Sequence, residues 1–320
     1  MKIEEIKLLG EKIKQNINKV IIGKSEVIDV LLTAMIAGGH VLLEDVPGTG
    51  KTVIAKTLSK SIGATFKRVQ FTPDLLPSDL TGINYYNQKL GEFTFRSGPI
   101  FTNILLGDEI NRATPRTQSS LLECMEEKQV TIDGKTHILD KPFFVIATQN
   151  PVETQGTFNL PEAQLDRFLV KLSMGYPSIE EGKQIMQRFI INNPLEELEV
   201  VCSKEELNDA SRSIGKVYVS EDIQEYILKI VEGTLKHDSV VLGVSPRGSL
   251  AILRACQVYA ALKGNSFVSP EDVKILCPYV FSHRIIIKDN LKFRGVTNDS
   301  IIEELLTTIE VPTEKWANRR

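Results

Sequence analysis

The chain has few of the residues that build metal centres and disulfide frameworks. Its 320 residues include only four cysteines and four histidines. No two cysteines form a Cys-x-x-Cys pair, and the histidines are equally scattered. This spacing argues against a zinc site and against a disulfide framework. The cysteines are instead predicted to pack as small buried hydrophobic side chains.

The chain also lacks a strong excess of charge of either sign. It has 38 basic and 41 acidic residues, which gives a net charge of −3. Domains that bind nucleic acid usually have a basic stripe. The composition therefore disfavours a nucleic-acid partner, although binding in a local pore stays open.

No uninterrupted apolar run is long enough to suggest a membrane span. The longest apolar region, residues 27–43, is broken by Asp29 and by the segment Gly38–His40, so it predicts a helix followed by a strand. The first residues, Met1–Lys7, are too charged for a secretory signal and predict an amphipathic surface helix. Together these features predict a cytoplasmic protein without a membrane span.

The most distinctive segment is Asp45–Thr52, which reads Asp-Val-Pro-Gly-Thr-Gly-Lys-Thr. It follows the apolar run Val41–Leu43 and precedes a helix-like segment. A strand, a glycine turn and Lys-Thr opening a helix form the usual cradle for nucleotide phosphates, because the backbone N–H groups and the helix N-terminus attract anions. Lys51 is expected to reach the β- and γ-phosphates, and Thr52 to hold Mg²⁺. The predicted nucleotide-binding residues of this loop are Pro47, Gly48, Thr49, Gly50, Lys51, Thr52 and Val53.

One residue of this loop departs from the strict motif. The pattern begins with glycine five positions before the second glycine of the turn, and Asp45 stands there. The substitution puts a carboxylate near the expected phosphates. Its role does not follow from the sequence.

The first half of the chain alternates strand-like and helix-like segments. Such alternation predicts a parallel sheet covered by helices on both faces, with its ligand at the carboxyl ends of the strands. Residues 83–95 and 129–138 interrupt the alternation and predict two β-hairpins, the second turning at Asp133-Gly134. The strand-like runs are Val41–Leu43, Phe66–Phe71, Asn103–Leu106, Phe143–Ala147 and Leu169–Leu172.

From Ser178 onward the sequence is patterned almost entirely for helices. Ser178 and Ser203 each stand three residues before a glutamate, as in capping boxes. We therefore predict an α/β nucleotide-binding core over residues 1–177 and a smaller all-helical domain over residues 178–320.

Two acids end another apolar strand. Asp108 and Glu109 follow the run Asn103–Gly107, and a strand buried in a parallel sheet presents its last residues at the ligand edge. Asp108 is expected to bind Mg²⁺ through water, and Glu109 to polarise the water that attacks the γ-phosphate. The alternative is a strand end that simply enters solvent.

Three further polar residues stand at positions suited to nucleotide chemistry. Asn150 follows a buried strand and could bond the attacking water, or it could belong to a simple Asn-Pro turn. Arg167 precedes the last strand and could instead form a surface salt bridge. Arg247 lies at a helix N-terminus, where a cation gains nothing from the helix dipole, so it is a candidate for binding an anion.

The ordered set of motifs resembles the MoxR-type AAA+ ATPases. The similarity runs from about Ile22 to beyond Arg247 and so covers most of the chain. Its most specific phrases are Asp-Glu-Ile-Asn-Arg and Leu-Pro-Glu-Ala-Gln-Leu-Asp-Arg-Phe. The motifs, in order, are Gly48–Thr52, Asp108–Ala113, Ala147–Pro151, Leu160–Phe168 and Ser245–Arg247.

The resemblance implies a role for each motif. Lys51 and Thr52 would belong to Walker A, Asp108 and Glu109 would be Walker B, and the hairpins would be the inserts of this family. Ile22 and Gly23 would lie near the adenine. Asn150 would be sensor 1, Arg167 the arginine finger that reaches a neighbouring subunit, and Arg247 sensor 2 on a helical lid.

The resemblance also implies partners and a use for the ATPase. A finger that acts on a neighbour requires a homo-oligomeric ring, usually a hexamer. Family members act as chaperone-like machines beside proteins with a von Willebrand A domain, in assembly of or metal insertion into other complexes.

Other uses of the same motifs stay open in the sequence. They are a chelatase-type motor subunit, a DNA motor or loader, a small-molecule kinase and a non-hydrolysing nucleotide switch. The net charge disfavours the DNA motor, and Glu109 disfavours the switch. The sequence does not name the substrate, the ring size or the residues that meet a partner.

Overall fold

The structure, a computed structural model, describes residues 1–150, 156–292 and 295–312. Within these residues the strands form one five-stranded sheet and three two-stranded sheets. In chain order the strands are β1 (Val41–Glu44), β2 (Phe66–Gln70), β3 (Gly82–Asn87), β4 (Glu92–Ser97), β5 (Ile104–Asp108), β6 (Gln129–Ile132), β7 (Lys135–Ile138), β8 (Phe144–Gln149), β9 (Val170–Leu172), β10 (Val240–Leu242) and β11 (Ile286–Ile287).

Helices precede, separate and follow these strands. In the part of the chain that the structure describes, no helix is long and apolar enough to cross a membrane. The α-helices are α1 (Ile3–Asn18), α2 (Ser25–Ala37), α3 (Lys51–Ser61), α4 (Pro77–Thr81), α5 (Pro115–Glu127), α6 (Glu162–Leu165), α7 (Ile179–Ile191), α8 (Lys204–Ser213), α9 (Glu221–Lys236), α10 (Pro246–Lys263), α11 (Pro270–Phe281), α12 (Asp289–Lys292) and α13 (Asn298–Thr308).

The five-stranded sheet has the order β2-β5-β8-β1-β9, and all its neighbouring strands are parallel. Alternate residues of one strand pack into different apolar cores. Val41 and Leu43 lie in one core, and Leu42 lies in the other. This alternation places a layer of side chains on each face, as expected for a sheet covered on both sides. The predicted αβα core is therefore confirmed. Each predicted strand begins and ends within two residues of the bounds of an observed strand.

Both predicted hairpins are present. Strands β3 and β4 pair antiparallel with residue 82 opposite residue 97, and β6 pairs antiparallel with β7. The second hairpin turns at Asp133 and Gly134, whose φ angles are 48° and 78°. Two left-handed residues in a two-residue turn match the twist of the strands, which is why Asp-Gly predicted this turn correctly.

The second half of the described chain is helical, as predicted, from α7 to α13. One short antiparallel pair, β10 with β11, lies among these helices and was not predicted. Its residues are aliphatic runs that suit a pleated surface. The runs are too short for their periodicity to distinguish a strand from a helix.

Helices α9 to α13, called the lid from here on, share a continuous apolar core with the start of the chain. Helix α10 packs against both α1 and α2. At Gly10 of α1, an added Cβ would lie 2.4 Å from Cδ2 of Leu262 on α10. Glycine therefore allows these helices to approach closely. The domain boundary at residue 177 stays a prediction, and residues 313–320 of the predicted second domain lie outside the described residues.

His40 joins three elements at the amino edge of the sheet. It directly precedes β1 and is 3% exposed. Its Nδ1 accepts a hydrogen bond from the amide of Val145 at 3.0 Å, and its Nε2 lies 2.9 Å from the carbonyl oxygen of Met125. Burial lowers the pKa of His40 to about 4. A neutral imidazole therefore links β1, β8 and α5.

Acid is expected to destabilise the fold through this buried ring. Because the folded pKa of His40 is lowered below its unfolded value, its contribution to stability is present at neutral pH and is lost as the pH falls through 6.5 towards 4. Between pH 7 and pH 5 this group should remove about 2 kcal/mol from the free energy of unfolding. The free energy of unfolding, measured with urea across that pH range, should fall less for His40→Gln than for the unaltered chain.

The matched control is His137→Gln, whose ring stacks on Phe95 in the hairpin region instead of bonding buried backbone groups. The control should keep the pH dependence of the unaltered chain. If the free energy of unfolding depended on pH equally in the unaltered chain and in both variants, this account of His40 would be contradicted.

Candidate active site

The predicted phosphate loop lies between β1 and α3. Gly48 and Gly50 have φ angles of 87° and 91°, in the left-handed region that favours glycine. Helix α3 begins at Lys51, so the amides of Lys51, Thr52 and Val53 lie in its first turn, where N–H groups have no intrahelical partner. The Lys51 ammonium donates to the carbonyl oxygens of Asp45 at 2.8 Å and of residue 46 at 3.3 Å.

Asp45, unexplained by the sequence, binds a different part of the chain. Its carboxylate accepts hydrogen bonds from Ser173 Oγ at 2.8 Å, from the amide of Met174 at 2.5 Å and from the amide of Gly175 at 3.1 Å. The residue is 5% exposed. These donors follow the end of β9, so Asp45 ties the phosphate loop to the connection that leads to α7. A glycine at this position would leave all three donors without this partner.

Asp108 ends β5 at the carboxyl edge of the sheet. Its Oδ1 accepts from the buried hydroxyl of Thr148 at 2.6 Å, and the same hydroxyl accepts from the amide of Glu109 at 2.9 Å. Its Oδ2 lies 2.6 Å from Nη2 of Arg68. Thr148 therefore connects the carboxylate of Asp108 to the backbone of Glu109. Neither Thr148 nor Arg68 was predicted, although a polar residue near the end of a buried parallel strand was a usable signal.

Glu109 is held by two side chains and a constrained backbone. Its Oε2 accepts from Nε2 of Gln70 at 2.7 Å and lies 3.0 Å from Nε of Arg112. Its φ angle is 56°, which is uncommon for a residue with a Cβ. Strained conformations of this kind cluster at functional sites. Gln70 ends β2, so its place at the same sheet edge could have been inferred from the strand alternation.

Asn150 lies next to the phosphate loop. It follows β8, is 6% exposed, and comes directly after Gln149, which pairs with Glu44 of β1. The amide of Asp45 also donates to the carbonyl oxygen of Gln149. Pro151 of the same predicted motif lies outside the described residues.

Ile22, which is 9% exposed, directly precedes a pair of residues that lie against the connection that Asp45 binds. Gly23 has a φ angle of 73°, and an added Cβ would lie 1.6 Å from Oε1 of Glu181 in the first turn of α7. Lys24 donates to the carbonyl oxygen of Tyr176 at 3.3 Å. Residues 173–181 therefore contact both the phosphate loop and the pair Gly23 and Lys24.

Arg167 and Arg247 lie at the other edge of the sheet. Arg167 precedes β9, whose Val170 pairs with Val41 at the beginning of β1, so it lies at the amino ends of the strands. The four residues of β1 rise roughly 13 Å between that edge and the phosphate loop. The predicted site residues thus form two groups, and the two arginines do not join the phosphate loop of their own chain.

A glutamate that the sequence did not single out binds both arginines. Glu126, near the end of α5, has Oε2 at 3.3 Å from Nε of Arg167, and its Oε1 accepts from Nη2 of Arg247. These residues line a cleft of about 360 Å³ between the core and the lid. Arg254 and Lys128 also line it, so cations outnumber anions in the cleft.

The residues at the carboxyl edge fit a nucleotide with Mg²⁺. Two left-handed glycines and the first amides of α3 offer backbone donors to phosphate oxygens. Thr52 supplies a hydroxyl and Asp108 a carboxylate, which are the hard oxygen donors that Mg²⁺ prefers.

Comparison with known proteins agrees with this geometry. Residues 40–170 match the model of the ATPase family associated with various cellular activities (AAA), and residues 232–305 match the AAA lid domain. The chain is 51% identical to the uncharacterised protein YeaC of Bacillus subtilis, over 98% of this chain and 97% of that one. It is 37% identical to Chaperone MoxR1 of Mycobacterium tuberculosis, over 92% of this chain and 80% of that protein.

A solved structure shows the same fold. The protein comes from Cytophaga hutchinsonii and is named provisionally as an ATPase. It superposes with a TM-score of 0.89 at 38% identity and covers 97% of this chain and 98% of its own. The similarity therefore extends over the core and the lid together.

Replacement of Asp45 by asparagine should loosen the phosphate loop. The amide group of asparagine would face backbone N–H donors and leave a buried donor unsatisfied, which costs about 1–3 kcal/mol. Urea unfolding should show that loss for Asp45→Asn. The matched control is Glu44→Gln, which removes the partly exposed ion pair with Lys171 and should cost less than about 1 kcal/mol. Equal losses would contradict the role assigned to Asp45.

Proposed function

The chain belongs to the MoxR family of AAA+ ATPases, and from that premise we propose that it couples Mg²⁺-dependent ATP hydrolysis to the remodelling of partner proteins in a homo-oligomeric ring. One observation favours this function above the others. The phosphate loop and acids lie at one edge of the parallel sheet, and two arginines lie at the opposite edge. A site that combines the phosphate loop with these arginines would therefore require two chains.

The residues at the carboxyl edge would bind and orient the substrate. The amides of residues 48–52 and the Lys51 ammonium would bind the phosphates, after Lys51 gives up its contacts with the loop carbonyls. Thr52 and Asp108 would hold Mg²⁺. When bound, Mg²⁺ neutralises charge that develops on the transferring phosphoryl group.

Glu109 would accept the proton of the attacking water. Gln70, Arg112 and the Thr148 hydroxyl hold its side chain and backbone at the sheet edge. Asn150, beside the loop, would donate a hydrogen bond to the attacking water or to the γ-phosphate. A positioned base of this kind typically contributes about 10²- to 10⁴-fold to the rate.

Arg167 and Arg247 would act on the nucleotide of a neighbouring chain. Both side chains reach the same carboxylate of Glu126, so both present cationic groups at one place on the surface. An arginine supplied by a neighbour stabilises the charge of the transition state. This arrangement agrees with a closed ring, and we propose a hexamer.

The partner is proposed to be another protein. Chaperone MoxR1 is a relative of this chain, and the hairpin β3–β4 exposes aromatic side chains, with Phe93 73% exposed beside Tyr86. Exposed apolar groups of this kind suit protein contacts. We propose a chaperone-like role beside a protein with a von Willebrand A domain, in assembly of or metal insertion into other complexes.

Glu109→Gln should separate binding from hydrolysis. The variant keeps the shape of the side chain but cannot accept the proton, so kcat should fall by about 10²- to 10⁴-fold while ATP binding persists. Steady-state ATPase assays and titration with a fluorescent ATP analogue measure the two effects. Glu123→Gln, an exposed residue of α5, is the matched control and should keep full activity.

Lys51→Ala completes this test, because it removes the ammonium from the loop and should abolish nucleotide binding. Full hydrolysis by Glu109→Gln would show that another group serves as the base.

Mixing variants tests whether the arginines act between chains. Arg167→Ala alone should assemble but lose about 10³-fold or more of its activity. Added Lys51→Ala chains have intact arginines and no nucleotide site, so they should restore activity to the intact sites of their Arg167→Ala neighbours. The same rescue is expected for Arg247→Ala. Mixtures that stay inactive at every ratio would contradict a site shared between chains.

A further inference from the structure

Arg284 is a buried cation with a large set of partners at the core–lid junction. Its side chain is 3% exposed. Nε donates to Oδ1 of Asp166 at 2.6 Å. Nη2 donates to two carbonyl oxygens, that of Phe168 at 2.7 Å and that of Asp166 at 3.3 Å. Nη1 donates to the carbonyl oxygen of Leu169 at 3.2 Å. Nη1 also donates to the carbonyl oxygen of Val280. One guanidinium thus binds the backbone on both sides of Arg167.

Asp166 extends this network to the second arginine. Its Oδ2 accepts from the hydroxyl of Ser245 at 3.1 Å. Ser245 is the N-cap of α10, where its Oγ accepts from the amide of Gly248 at 3.3 Å. Arg247 lies in that first turn. The Asp166–Arg284 pair therefore connects the segment of Arg167 to the helix start of Arg247.

We propose that Arg284 is a positioning residue that holds Arg167 and Arg247 on one rigid support, so that both reach a neighbouring chain's phosphate together. This inference rests on the proposed function, in which those two arginines act between chains. Arg284 itself is almost fully buried, and its donors are taken up by the backbone and by Asp166. Its effect on hydrolysis would come through the two arginines that it orients.

The chemistry of arginine suits this position better than that of lysine. The guanidinium has five N–H donors in a planar fork, and here the fork spans three carbonyl oxygens of residues 166, 168 and 169 as well as a carboxylate. A lysine ammonium would keep the charge beside Asp166 but has only three donors at one point. It could not bond the same set of acceptors, so the segment of Arg167 would be less fixed.

Arg284→Lys should lower kcat and leave nucleotide binding intact. A displacement of about 1 Å at a reacting group can cost about 10²-fold in rate, so we expect a 10- to 100-fold fall in kcat at unchanged KM for ATP. The phosphate loop lies at the other edge of the sheet and should bind as before. The matched control is Arg212→Lys, at an exposed position of α8 paired with Asp209, which should keep the kcat of the unaltered chain.

Mixing with Lys51→Ala distinguishes positioning from a general loss of structure. Chains with Lys51→Ala have well-held arginines and should rescue the intact nucleotide sites of Arg284→Lys chains. Glu109→Gln mixed with Lys51→Ala should stay inactive, because neither chain then has a competent nucleotide site. Asp166→Asn is the second variant, should Arg284→Lys fail to fold, and its kcat should also fall and be rescued.

Two results would overturn the inference. One is a folded Arg284→Lys chain with unchanged kcat. The other is a loss of kcat that Lys51→Ala chains do not rescue although they do rescue Arg167→Ala. If Arg167→Ala itself is not rescued, the shared site of the proposed function fails and this inference fails with it. The Arg167→Ala mixture therefore separates failure of Arg284's role from failure of the proposed function.

Discussion

The common direction of the parallel strands determines where the candidate site residues of this molecule lie. Every strand of the main sheet ends at the edge that holds the phosphate loop, Asp108 and Glu109. The segment before β9 necessarily starts at the opposite edge, and with it lies Arg167. No rearrangement of side chains brings the two edges of one sheet together. The proposed ring would bring the phosphate bound by one chain and the arginine of its neighbour into contact.

The sequence predicted the parts of this fold that depend on neighbouring residues. The strand runs, the Asp133-Gly134 turn and the glycine loop follow from periodicity and from backbone preferences, and the structure agrees with each. Contacts between distant residues were not predictable in this way. Asp45 binds the amide of a residue 129 positions later, and no local pattern marks Glu126 as the partner of two arginines. Such pairings arise only when the sheet order brings distant segments together.

The nucleotide edge is already a bonded network. Asp108 pairs with Arg68, Glu109 with Gln70 and Arg112, and Lys51 with two carbonyl oxygens. A nucleotide with its metal would replace several of these contacts instead of entering a site of free charges. Exchange of one set of partners for another reduces the desolvation cost of binding. It also means that contacts within the chain orient both acids, Asp108 through Thr148 and Glu109 through Gln70 and Arg112.

Glu126 has a consequence for the chain before it meets a neighbour. Two arginines that protrude from the same cleft would by themselves attract polyanions such as nucleic acid, whose backbone binds clustered cations without regard to sequence. Glu126 gives both of them a carboxylate partner within the same chain. In a solitary chain Glu126 therefore offsets part of the positive charge of a cleft that Arg254 and Lys128 also line. A phosphate presented by a neighbouring chain, as proposed above, would have to displace this carboxylate from both arginines.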